Sequence, residues 1–184
     1  MNRQLALPLE FDPNQDFRQF RAGRDLEVVT HLREAATAAG PATLLLWGPE
    51  GSGKTHLLNA CCALAHGWQR GTAYLPLGQL HPHGPAILEG LEYLEVVSLD
   101  DLDQVAGDLE WETGLFNLFN RMRERQGIWI GSAALPPQQL PFRLPDLISR
   151  LSWGITLKLH PLEDEDILLA LSLRARAKGL DLPP

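Results

Sequence analysis

Short apolar runs of strand length alternate with stretches of helical period along this chain. Thr43-Leu44-Leu45-Leu46-Trp47 is a continuous apolar run and reads as a buried strand. Thr72-Ala73-Tyr74-Leu75, the run from Glu95 to Leu99, and Ile128-Trp129-Ile130 read the same way. Ile155, Leu157 and Leu159 alternate and predict a last strand, which Pro161 breaks. Between the strands lie helical patterns. One runs from His56 through Ala65 and is ended by Gly67. In the next, Leu115, Leu118, Phe119 and Met122 fall at i, i+3, i+4 and i+7, with Gly127 as its stop. A short helix spans Leu144 to Leu151. Asp25 is placed to cap a helix through Leu26, Val29, Leu32 and Ala36, ended by Gly40-Pro41. A final helix has Glu163, Asp164, Glu165 and Asp166 in its first turn, Arg174, Arg176 and Lys178 in its last, and Gly179 beyond. The alternation predicts an α/β fold with a parallel sheet of about five strands and helices on both faces. Ligands of such sheets bind at the carboxyl ends of the strands.

Other stretches carry weaker patterns. Residues 1–22 predict no regular element. Pro76 to Pro85 reads as a loop whose His81 and His83 are solvated, and Arg121, Arg123 and Arg125 read as a solvated helix face. Length bounds the chain to one domain, or one domain and part of a second. A 45% apolar fraction excludes wholesale disorder, and a net charge of −7 argues against broad, non-specific DNA binding. The two cysteines, Cys61 and Cys62, are adjacent in a helix and read as small packed hydrophobes. No apolar run reaches membrane-spanning length and no signal-peptide pattern opens the chain, so a cytoplasmic protein without membrane association is expected.

The first strand runs straight into Gly48-Pro49-Glu50-Gly51-Ser52-Gly53-Lys54-Thr55, and a helix opening with His56 follows. Strand, G-x-x-x-x-G-K-[ST] and helix together make a phosphate-binding loop. The glycines let backbone N–H groups turn inward, and the helix N-terminus favours an anion. Lys54 is expected on the β- and γ-phosphates and the Thr55 hydroxyl on Mg²⁺. Glu95–Asp101 is a strand ending in two carboxylates. The strand beside a phosphate loop delivers an Asp to the Mg²⁺ shell, a role that Asp100 fits. Asp101 would then lie near the γ-phosphate, where a carboxylate can orient or deprotonate water. Ser132, at the end of its strand, is a candidate partner for phosphate or water. At the N-terminus, Leu5, Leu7 and Leu9 alternate within Gln4-Leu5-Ala6-Leu7-Pro8-Leu9. That peptide is either an apolar tail folded back on its own domain or an extended docking peptide for a partner's pockets.

These residues together resemble the AAA+ ATPases, and within them the DnaA-related family. Asp100-Asp101 and the segment Leu147-Ile148-Ser149-Arg150-Leu151-Ser152-Trp153-Gly154 carry that likeness. The peptide 4–9, Leu144-Pro145-Asp146-Leu147, Pro161-Leu162-Glu163-Asp164-Glu165-Asp166 and Leu173-Arg174-Ala175-Arg176 look like the family's regulatory-inactivator (Hda) branch. The resemblance implies a tail with a clamp-binding peptide over 1–22, an AAA+ nucleotide-binding domain over 23–162 and, over 163–184, the first helix of a largely missing helical lid. It implies ADP or ATP with Mg²⁺ at residues 48–56, and clamp contacts by Gln4, Leu5, Leu7 and Leu9. It implies Arg150 as an arginine finger acting in trans on DnaA. The partners would be the β sliding clamp and DnaA, with a homo-oligomer possible, and the role would be prevention of re-initiation. No stretch resembles DnaA's DNA-binding helix-turn-helix, and the loop 76–89 is short where DnaA carries a DNA-contacting insertion, so no direct specific DNA binding is expected. The family often has a polar residue after the strand carrying Ser132; here Ala133-Ala134-Leu135 stands there, leaving Ser132 alone for a sensing role. The family's sensor-2 arginine has no counterpart, which implies weaker nucleotide binding. The competing reading is an AAA+ ATPase acting on its own nucleotide, as a helicase loader would.

Overall fold

The computed structural model describes residues 11–40 and 42–161. The peptide at 4–9 and the helix expected over 163–178 lie outside the described residues. The strands are β1 (Thr43–Trp47), β2 (Thr72–Pro76), β3 (Val96–Asp100), β4 (Ile128–Ala133) and β5 (Ile155–Lys158). They pair in parallel as one sheet, in the order β2-β3-β4-β1-β5. The helices are α1 (Leu26–Ala36), α2 (Lys54–Gly67), the single turn α3 (Leu77–Leu80), α4 (Leu109–Glu124) and α5 (Pro145–Leu151).

Strand periodicity sorts the core. Successive strand side chains point to opposite faces. Leu44, Leu46, Tyr74 and Ile130 therefore pack with α1 and α2, while Leu45, Leu75, Leu99 and Trp129 pack with α4 and α5. Both faces of the sheet are covered, as a parallel sheet requires. The adjacent thiols belong to the α2 core, where burial pushes the Cys62 thiol up to about 12 and Cys61 well above its ordinary range. No described helix is long and apolar enough to cross a membrane.

Several local expectations need correction. β1 lies between β4 and β5 and not beside β3; the strand that ends in Asp100 is one place beyond β4. β4 runs on to Ala133, so Ser132 lies inside the strand. Asp25 occupies the N-cap position of α1 but gives no side-chain cap. Its carboxylate instead accepts from the His160 backbone N–H at 3.2 Å and pairs with His160 Nδ1 at 2.8 Å. Helix α1 stops at Ala36, short of Gly40. The stretch from Pro76 is not a plain loop, since it holds α3 and a 3-10 turn at His81–His83. His81 is not merely solvated: Nε2 lies 3.0 Å from Asp108 Oδ2, and its carbonyl accepts from Trp111 Nε1 at 3.3 Å. The arginines of α4 have partners: Arg121 pairs with Glu92, Arg123 lies over Trp153 and Arg125 over Tyr93.

Glu112 is a fully buried acid on α4. It accepts from the backbone N–H of Gly107 at 2.7 Å, of Arg143 at 2.9 Å and of Leu144 at 2.7 Å. Leu144 is the N-cap position of α5 and offers no side-chain cap, so α4 reaches across to satisfy the start of α5. Replacing Glu112 by Gln removes charge from a group bound to backbone donors and forces an amide NH₂ against one of them. We expect Glu112→Gln to lose about 2 kcal/mol of stability, read as an earlier urea midpoint at unchanged slope.

Candidate nucleotide-binding site

Between the end of β1 and the start of α2 the chain makes a tight loop through residues 48–53. The Gly48 N–H donates to the Ala133 carbonyl at 3.2 Å, which ties the loop to the end of β4. Two glycines are dictated by space and backbone. A Cβ on Gly48 would stand 2.5 Å from the Leu159 carbonyl oxygen. Gly53 has φ +95°, and a Cβ there would stand 2.6 Å from the Phe20 ring. Lys54 is buried and folds over the loop, its ammonium donating to the carbonyls of Gly48 at 2.9 Å and Pro49 at 3.0 Å. Gly53 stands at the N-cap position of α2 and has no side chain to cap it. The Ser52 hydroxyl is buried and has no hydrogen-bond partner among the described residues. An uncapped helix end, an orphaned hydroxyl and a buried ammonium are groups that a phosphate would satisfy together.

The acid pair ends β3. Asp100 is 2% exposed, and three hydroxyls converge on it. Thr55 Oγ1 donates to Oδ2 at 2.6 Å, Tyr74 OH donates to the same oxygen at 2.7 Å, and Ser132 Oγ donates to Oδ1. Ser132 also accepts the Asp101 N–H at 2.9 Å. It therefore stands behind the acid pair and orients both members of it. Asp101 is left-handed, at φ 58° and ψ 58°, a conformation that is strained for a non-glycine residue. Burial, and then the charges of Asp100 and Asp103, raise its carboxyl above the ordinary range, with Lys54 opposing. The next turn is fixed by Asp103 Oδ1, which accepts the Ala134 N–H at 2.9 Å. Among the described residues no group of three or more His, Cys, Asp or Glu could enclose a metal. Thr55 and Asp100 instead fit a Mg²⁺ ion that takes its remaining ligands from phosphate and water.

Segment 11–22 forms no helix or strand of its own apart from turns, as expected, but it is part of the site. Gly53, His56 and Asn59 fall about one turn apart on α2. They meet, in order, Phe20, Asp16 and Asp12. The Phe20 and His56 rings meet at a tilt with centroids 5.8 Å apart, His56 Nε2 lies 2.8 Å from the Asp16 carbonyl, and Asn59 Oδ1 accepts the Asp12 N–H at 2.7 Å. Sequence reasoning missed this strap, and it missed Tyr74 and Asn59. The available signals were a polar Asn within an apolar helical run and a phenol in a buried strand, which needs a partner for its hydroxyl.

Arg150 lies elsewhere. Its guanidinium is 3.9 Å from the centroid of the Trp153 ring and 5.7 Å from that of Phe116. The neighbouring Gly154 packs against Thr43, at the start of β1, whereas the phosphate loop follows the end of β1. The structure therefore brings Lys54, Thr55, Asp100, Asp101 and Ser132 together and sets Arg150 toward the opposite end of the sheet.

No family model matches the sequence. The fold is that of the AAA+ domain of DnaA. Domain III of the Thermotoga maritima initiator DnaA superposes with TM-score 0.77 at 21% identity, over 94% of this chain and 78% of that one. Aquifex aeolicus DnaA bound to AMPPCP gives TM-score 0.74 at 21% identity, over 94% of this chain. The chain spans 58% of the length of that initiator chain. DnaI gives TM-score 0.64 at 14% identity, over 75% of this chain and 82% of that one.

The raised carboxyl of Asp101 has a consequence for stability. The folded state binds this proton more tightly than the unfolded chain does, so stability is lost as pH rises above 3.8 toward neutrality. Asn tolerates the left-handed backbone and has no charge to desolvate. We expect Asp101→Asn to melt above wild type at neutral pH, with the gap closing toward about pH 4 in a series of thermal melts.

Proposed function

We propose that this chain is a nucleotide-bound regulator of replication initiation, which docks on the sliding clamp and stimulates ATP hydrolysis by DnaA. Residues 48–56 would hold ADP or ATP. Lys54 and the uncapped start of α2 would meet the phosphates, and Thr55 and Asp100 would hold Mg²⁺, which supplies charge neutralisation between phosphate oxygens. Gln4, Leu5, Leu7 and Leu9 would contact the clamp. The domain would occupy 23–162, between the tail and the first helix of a lid over 163–184. The observation that carries the trans role is the separation of Arg150 from the chain's own phosphate loop. A guanidinium at the far end of the sheet serves a nucleotide held by a neighbour better than its own. The AMPPCP bound to the Aquifex initiator, which shares this fold, supports the choice of an adenine nucleotide.

A second reading, a self-acting ATPase, is favoured by one feature. Asp101 is held in a strained backbone with its carboxyl raised, beside Lys54 and Asp100, as a water-orienting base would be.

One variant tests the nucleotide site common to both readings, and three more separate the readings. Lys54→Ala is expected to weaken ADP binding roughly 10- to 100-fold in equilibrium dialysis. Arg150→Ala is expected to keep nucleotide and clamp binding, yet lose stimulation of DnaA hydrolysis, for which an arginine finger contributes a factor on the order of 10³. Full stimulation by that variant removes the finger assignment. Deletion of residues 1–9 is expected to abolish retention on immobilised clamp. Hydrolysis by the purified chain alone, lost in Asp101→Asn and indifferent to DnaA, moves the self-acting ATPase to first place.

A further inference from the structure

We propose that Tyr74 is a positioning residue for the Mg²⁺-side carboxylate: its hydroxyl, together with Thr55 and Ser132, fixes Asp100 so that one face of the carboxylate stays open to a hydrated cation. The proposal rests on the nucleotide-binding reading above. Tyr74 is in the middle of β2, opposite Ser98 on β3. Asp100 is two residues beyond Ser98, so the two side chains share one face of the sheet as a diagonal pair, a spacing that a long aromatic can bridge. Tyr74 is 9% exposed, so its phenol has no ready supply of water. The phenol O–H donates to Asp100 Oδ2 at 2.7 Å.

The geometry of the carboxylate follows from counting. A carboxylate offers about four lone-pair positions. Tyr74 and Thr55 take two on Oδ2, and Ser132 takes one on Oδ1. Counting the described residues, one position remains for a metal-bound water. Without the phenol, Oδ2 is held among the described residues by Thr55 alone, the residue that would itself ligate the cation, and the carboxylate is freer to turn. Asn59 adds a second tie: its amide donates to the Thr55 carbonyl at 2.8 Å, while its Oδ1 holds the Asp12 N–H.

The test uses Tyr74→Phe in the full chain, which removes one hydroxyl and keeps the ring. ADP binding is measured by calorimetry in EDTA and across a Mg²⁺ titration, with melting curves recorded alongside. Outer-shell partners of metal ligands typically contribute a factor of 10–100 to metal affinity. We expect affinity in EDTA to stay within about twofold of wild type, and the Mg²⁺ midpoint to rise about tenfold. An unchanged Mg²⁺ midpoint overturns the proposal. So does an equal loss of ADP affinity with and without Mg²⁺, which is the mark of a purely structural role. Absence of ADP binding by the wild type in every condition overturns the nucleotide reading itself.

Discussion

A buried carboxylate needs donors, and among the described residues Asp100 takes its donors from other elements of the fold. Tyr74 comes from β2, Thr55 from α2 and Ser132 from β4. β3 lies between β2 and β4, so the side chains of its two neighbours reach the acid from either side. α2 packs across the same strands and brings Thr55 from above. A one-residue slip of either neighbour would turn its hydroxyl to the other face of the sheet. The register of three strands and the seating of one helix are thus tied to a single buried acid.

The phosphate loop depends on that arrangement. Gly48 is pinned to Ala133, one residue after the serine that holds Asp100. Lys54 opens the helix whose next residue donates to Asp100. The strap 11–20 then lies along α2 and closes over Gly53. Asn59 bonds both to Thr55 and to Asp12 and so joins the start of α2 to the strap.

The other end of the sheet has a different chemistry. Trp153 is 54% exposed and carries Arg150 at 3.9 Å and Arg123 at 4.6 Å from its ring centroid. A flat guanidinium on an indole is held extended without being neutralised. The Arg150 Nε–H is buried and without a partner among the described residues, and Glu112 fixes the start of the short helix that bears it. One domain therefore presents a candidate anion site at one end and a supported cation at the other.

The sequence by itself determined the local features. The five strands, the main helices and the loop 48–55 follow from apolar period and from glycine placement, which act within a few residues. Asp100 and Asp101 were legible as a candidate site because they end a strand that follows a glycine-rich G-x-x-x-x-G-K-[ST] loop. Only the tertiary structure decided what those residues touch. The strand order set β4 rather than β3 beside β1, because parallel strands adjacent in space are distant in the chain. Thr55, Tyr74 and Ser132 are 45, 26 and 32 residues from the acid they serve. Glu112 was not singled out in the sequence, yet it is buried on backbone donors that include Arg143 and Leu144, about thirty residues away. Periodicity shows which face of an element is buried; the partner waiting on that face is set by how the sheet closes, and nothing local encodes it.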